Sequence, residues 1–228
     1  MITDNTTDPA PADALRASYR ALMDLVAPLE EEDSWLPTDC TGWAVRDLVF
    51  HLVMDAQRAL VALHTPATAP ADRDAVTYWQ DWRPDPVGAA NGRRYSRVGA
   101  SMFLYFRQLR ELCLDTAAAA VTAAASADPR QRVSTQGHVL AAGDLMATLA
   151  VEATVHHLDL TVRLPGAPAP SSEGLATVRS TLDGLLGRPV PLNWSDTQYA
   201  RAGTGRLPLT RAERDALGAD ADRLPLFC

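Results

Sequence analysis

Apolar residues recur at steps of three and four along five separate segments of this 228-residue chain, and no stretch shows strands alternating with helices. A step of three or four keeps side chains on one face of a helix, whereas a strand needs a period of two. The chain is therefore expected to be all-α. Leu15, Tyr19, Leu22, Val26 and Leu29 mark a helix over about 12–31, and Leu48, Leu52, Ala56, Ala59 and Leu63 a second over about 43–64. Met102, Phe106, Leu109, and Leu112 or Cys113 mark a third over about 95–125. A fourth is expected from about Asp144 to Val162, and a fifth, with Leu175, Val178, Leu182 and Leu185, from about Ser172 to Leu186. Pro37, Pro66, Pro129 and Pro165 punctuate the gaps, as residues that cannot continue a helix should.

Between these helices lie less regular stretches. Residues 66–95, with Trp79, Trp82, Pro84, Pro86 and Gly88, read as a long excursion with at most one short helix. The segment from Val133 to Leu140 is too short and too polar to assign, and from Arg188 onward the chain reads as turn-rich, with short pieces only. The expected organisation is a polar arm over residues 1–11, a helical bundle over 12–187 and a C-terminal extension over 188–228 that packs on the bundle.

The fourth helix breaks its own pattern. Its inward stripe runs Leu145, Leu149, Glu152, His156, Leu160, so a carboxylate and an imidazole fall where leucines are expected. Burying such groups costs a few kcal/mol each unless partners satisfy them. Four residues apart, they lie one turn from each other and can reach a common point. The simplest account is a Glu152–His156 pair that satisfies itself. His51, at the edge of the Leu48/Leu52 stripe of the second helix, adds a third donor. Two histidines and one glutamate with an open position suit a catalytic zinc, and equally a two-histidine, one-carboxylate iron site.

The remaining polar candidates read more blandly. His157, about 100° around the helix from His156, is assigned to the surface or to a supporting position. Asp159 and Asp55 are placed to orient a ligand imidazole, but are read first as solvated helix charges. His64 and His138 have no partner in sequence, and no cysteine sits beside a histidine. Trp35 and Trp43 bracket the Pro37–Gly42 turn and are read as core and staple residues rather than a stacking platform.

Composition narrows the chemistry further. All 21 basic residues are arginine, so Schiff-base chemistry and a P-loop lysine are excluded. A net charge of −7 argues against a nucleic-acid partner. The basic residues Arg93, Arg94 and Arg97, with Arg107 and Arg110, read as a solvated helix face, with a pocket for an anion as the alternative. Residues 1–14 lack the apolar core of a signal peptide, and the uncharged run between Asp115 and Asp128 is too short to span a membrane. Three widely spaced cysteines, Cys40, Cys113 and Cys228, fit a reducing cytoplasm.

Two stretches carry a resemblance. Pro37-Thr38-Asp39-Cys40-Thr41-Gly42-Trp43 through His51-Leu52 resembles the first signature of the mycothiol-dependent maleylpyruvate isomerase N-terminal domain family, a branch of the DinB-like metal-binding four-helix bundles. Glu152-Ala153-Thr154-Val155-His156-His157-Leu158-Asp159-Leu160 resembles its E-x-x-x-H-x-x-D-L segment. The resemblance covers roughly residues 12–187. It implies a DinB-like four-helix bundle with an additional helix and an irregular C-terminal tail, the tail being too short for the full second domain of the isomerase. It further implies a divalent metal on His51, Glu152 and His156, zinc first and iron or nickel as alternatives, with mycothiol as co-substrate and an electrophilic small molecule as substrate. An S-transferase or cis–trans isomerase follows, active in the cytoplasm without a membrane or nucleic-acid partner. The Arg- and Ala-rich usage suits the actinobacteria that make mycothiol. Two other readings stay open: a thiol-independent metal-dependent lyase, cyclase or hydrolase, and a non-catalytic helical binding module.

Overall fold

In the computed structural model, which describes residues 10–82 and 86–227, helix follows helix around one central square. Helix α1 (Pro11–Val26) starts on a proline and stops short of Pro28. Helix α2 (Val45–Leu63) begins where the Asp47 carboxylate accepts the Ala44 amide at 3.0 Å, and ends before Pro66. After α3 (Pro86–Ser101) and α4 (Phe106–Ser126), a two-stranded hairpin leads into α5 (Ala142–Thr161). Helix α6 (Ser172–Leu186) follows and ends on Gly187 in the left-handed conformation, φ 82°. Helix α1 packs chiefly on α5 and α2 on α4, while α1–α4 and α2–α5 contacts close the square. Leu15, Leu22, Leu48, Leu52, Leu109, Leu145, Leu149 and Leu160 fill it. The Ala-rich α4 turns Cys113, Ala117, Ala120 and Ala124 inward, small residues that let its axis approach α2 closely.

One expectation changes, and two loosely assigned stretches gain definite structure. The third helix is two helices, broken at residues 102–105. Five consecutive apolar residues, Met102 to Phe106, cannot share one face, and Phe103 and Phe106 turn inward while Met102 and Leu104 stay exposed. The break is sealed by side chains: Arg46 Nη2 donates to the Phe103 carbonyl at 3.1 Å, and Glu31 accepts the Phe106 amide at 2.7 Å. Part of the 66–95 excursion is thus the first half of α3; Pro84 lies outside the described residues.

The unassigned segment is a hairpin of β1 (Arg132–Thr135) and β2 (His138–Ala141), with Val133 opposite Leu140. Its two-residue loop, Gln136 (φ 47°) and Gly137 (φ 84°), is left-handed at both positions, as a tight hairpin of native twist requires.

The C-terminal tail keeps to short pieces, as expected, and two of them are helices. It forms α7 (Asp196–Gly203), capped by Ser195, and α8 (Arg211–Leu217), capped by Thr210 and Glu213. With α6, Tyr78, Trp79 and Phe227 they build a second apolar core on the far side of α5, against Val151, Val155 and Leu158. Helix α5 is therefore buried around most of its circumference. Among the described residues, no helix is long and apolar enough to cross a membrane. The N-terminal arm through Asp8-Pro9 and Cys228 lie outside the described residues.

Candidate metal centre

The inward stripe of α5 delivers Glu152 and His156 to the seam with α2, where His51 faces them. The three residues offer one ligand atom each within 4.8 Å of one another. His156 Nε2 lies 3.2 Å from Glu152 Oε2, and the two imidazoles meet edge to face with centroids 4.8 Å apart. The pair contact weighed from sequence is present, and the third histidine stands beside it. Trp43 closes one side, its ring 5.2 Å from that of His51 and 6.5 Å from that of His156. Trp43 is packed against the core, as expected, and is also a wall of the site, whereas Trp35 is 63 % exposed under the Arg46 guanidinium and is not the core residue expected.

Behind each imidazole stands a second carboxylate. Asp159 Oδ2 is 2.9 Å from His156 Nδ1, and Asp55 Oδ2 is 3.2 Å from His51 Nε2. Both aspartates are buried, Asp159 completely, so neither is the solvated helix charge expected. With its Nδ1 proton donated to Asp159, His156 turns Nε2 toward Glu152 and His51, the nitrogen at which an ion would take the place of a proton. His157 is not at the surface either: it is buried and bonds the Pro168 carbonyl at 2.8 Å.

Two residues of the site had no signal in the pattern of apolar steps. Arg206 grips Asp159 with two bonds of 3.0 Å, from Nε and Nη2. Cys40 donates its thiol to Asp159 Oδ2 at 3.1 Å and lies 3.7 Å from His156 Nδ1, so a cysteine does sit beside a histidine in space. Arg201 supports the same corner through Asp39 at 2.6 Å, and the Asp39 amide donates to the Asp159 carbonyl. The only advance sign was that Thr38-Asp39-Cys40 belongs to the first signature.

Electrostatics follow the contacts. Burial works against ionisation of Glu152, but the hydrogen bond and charge of His156, with His51 and Arg58, hold its carboxyl down at about 2. Burial likewise disfavours the His156 imidazolium, yet Cys40, Asp159 and Glu152 raise its pKa well above the ordinary value. Burial lowers that of His51, favouring the neutral ring that ligates metals. Burial pushes the Cys40 thiol up, so it is a hydrogen-bond donor here and not a ready nucleophile.

The set fits a divalent ion. It has two imidazoles and an ionised carboxylate converging from two helices, with a carboxylate behind each ring. Cys40, His156 and Asp159 also converge within the same distance, but Asp159 is already neutralised by Arg206, which a cation there would have to displace. His64 bonds the Leu60 carbonyl and His138 pairs with Asp72, both away from this cluster.

Comparison with known proteins bears on the fold and the lineage. No curated protein matches the sequence. Two solved structures do match the fold: the mycothiol-dependent maleylpyruvate isomerase and a histidine-to-alanine mutant of it. Each aligns with a TM-score of 0.52 at 17 % identity, over 75 % of this chain and 68 % of the other. The sequence model described as the mycothiol maleylpyruvate isomerase N-terminal domain matches residues 15–161, a span that contains His51, Glu152 and His156. The chain belongs to the mycothiol maleylpyruvate isomerase N-terminal domain family.

Proposed function

We propose that this chain is an enzyme that uses mycothiol, with a divalent metal on His51, Glu152 and His156, to isomerise or conjugate an electrophilic small molecule. The observation that carries the reading is the convergence of those three donors within 4.8 Å, each imidazole backed by an aspartate. Family membership supports the thiol. A divalent ion bound there, with zinc the first choice and iron or nickel the alternatives, supplies Lewis acidity that brings a neighbouring thiol well below its usual pKa of about 8.5.

The chain's own part is positional. Asp159 orients His156, Glu152 contributes the one anionic donor, and Trp43 walls the site on one side. The reaction itself asks for no nucleophile from the protein. Addition of the thiol sulfur to a conjugated double bond, rotation and expulsion interconvert cis and trans forms; retention of the sulfur gives a conjugate. This suits a site whose nearest thiol, Cys40, is committed to Asp159. The donors belong to the bundle over residues 12–187, and the extension over 188–228 supports them through Arg201 and Arg206.

Elemental analysis of untagged protein, followed by assay with maleylpyruvate and mycothiol, tests the reading. About one divalent ion per chain and turnover that requires both metal and thiol are expected. Bound metal with no thiol-dependent conversion of maleylpyruvate or of simple α,β-unsaturated carbonyls sinks the thiol chemistry and leaves the metal site standing.

A further inference from the structure

Helix α3 carries an unbalanced charge. Over Pro86–Ser101 it has Arg93, Arg94 and Arg97 and no acidic residue, in a chain of net charge −7. Arg93 and Arg97 stand four apart on one face, an arrangement that costs a helix stability when nothing anionic lies between. Neither they nor Arg94 form an ion pair or side-chain hydrogen bond with another described residue, whereas Arg107 and Arg110 pair with Glu111 and Glu30.

These arginines face a groove. Two adjoining concavities of about 740 and 470 Å3 share Gly42, Arg97 and Ser101, and all three arginines line the smaller one. The larger lies between the Pro37–Ala44 turn and the α3–α4 break, with Trp35, Trp43, Phe103 and Leu104 as apolar walls. Such a volume suits a small organic ligand. Buried Arg46 also lines it, with an Nε that has no hydrogen-bond partner among the described residues. Two acids line it as well: Glu31 takes the Phe106 amide and stands 3.7 Å from Arg46 Nη1, and Asp47 takes the Ala44 amide. Trp43 pins the two walls together by donating to the Arg93 carbonyl at 3.4 Å.

We propose that this groove binds a small organic anion, a carboxylate on a flat apolar body, with Arg93 and Arg97 on the charged end and the Trp35 and Trp43 rings along the apolar one. Arginines with no described ion-pair partner at one end, and the Trp35 and Trp43 rings lining the other, match that shape and charge. The groove shares only Trp43 with the metal-type cluster, and binding there needs no metal. The inference therefore stands apart from the proposed function.

Calorimetric titration at low salt with naphthalene-2-carboxylate and its neutral carboxamide tests it. The carboxylate should bind at least tenfold more tightly, and Arg93→Gln with Arg97→Gln should erase that difference while leaving the thermal melt unchanged. Trp35→Ala should weaken both ligands, and Glu152→Ala should change neither. Equal binding of the two ligands, or a preference that survives the double substitution, overturns the proposal. Loss of binding in Glu152→Ala also overturns it, by moving the anion to the metal-type cluster. No measurable carboxylate binding leaves α3 a solvated face and overturns it equally.

Discussion

The two histidines of the candidate centre are supported in opposite ways. His156 is held from behind by a closed set of partners: Asp159 receives Arg206 twice, the Cys40 thiol once and the imidazole once, with no exposure to solvent. His51 is held by a looser one. Asp55 Oδ2 is 3.2 Å from the ring without the alignment of a hydrogen bond, and Asp55 Oδ1 reaches Arg58 only at 3.5 Å. Arg58 in turn leans on Tyr78 and Gln136 of the hairpin. Supports of the first kind fix a ligand before anything binds; those of the second let it settle when something does. The α5 half of the candidate centre is thus the more closely tethered, and the α2 half the less.

The severest way to break this contrast is to remove the shared chemistry. His156→Ala or Glu152→Ala should take metal content from about one ion per chain to near zero, because a site of three protein ligands loses one outright. Elemental analysis reads the loss, and a chain that never holds metal makes Glu152 and His156 a self-satisfied pair instead.

Next comes the clamp. Arg206→Ala leaves the Asp159 carboxylate buried and short of its counter-charge, and should cost about 3–5 kcal/mol in a denaturant titration. Asp55→Asn, on the looser side, should cost under about 1 kcal/mol of stability yet weaken metal binding about 10–100-fold. Equal stability losses from both substitutions would erase the distinction between the two halves.

Acid sharpens it further. Burial alone would raise the Asp159 pKa, but His156 and Arg206 hold it far below the ordinary value. A depressed carboxylate contributes stability that is complete above about pH 4 and is lost as pH falls through the folded value. Asp159→Asn should therefore unfold over a narrower and lower acid range relative to its own neutral-pH stability. The smallest effect is expected of Cys40→Ser, which keeps a donor to Asp159: melting and metal content should stay near those of the parent chain, and only Cys40→Ala should leave a measurable deficit of about 1 kcal/mol.

Much of this was legible in the chain itself. The period of α6 gives its bounds, Ser172–Leu186, as found, and the misfit of Glu152 and His156 in a leucine stripe singles out two members of the candidate cluster. What periodicity reports is the inward face of one helix at a time. It is blind to a partner such as Arg206, 47 residues from Asp159, or Cys40, 119 residues away, because no local step relates them. Asp159 departs from its expected place for a different reason: a lone carboxylate on a helix is usually solvated, and only a guanidinium from another element stabilises its burial. The break between α3 and α4 leaves no local mark because its seals, Arg46 and Glu31, come from other parts of the chain. The short helices α7 and α8 are below the length at which an apolar stripe is distinct from chance.

Helix α5 touches both cores, the four-helix square on one side and the C-terminal layer on the other. A helix held in this way cannot unravel until both neighbours have let go. In native-state hydrogen exchange its amides should be the last to exchange, at the free energy of global opening, and the two cores should melt as one cooperative unit. Damage to the outlying C-terminal layer would then be felt as a shortened lifetime of the Glu152–His156 register, without a single contact at the seam with α2 having been touched.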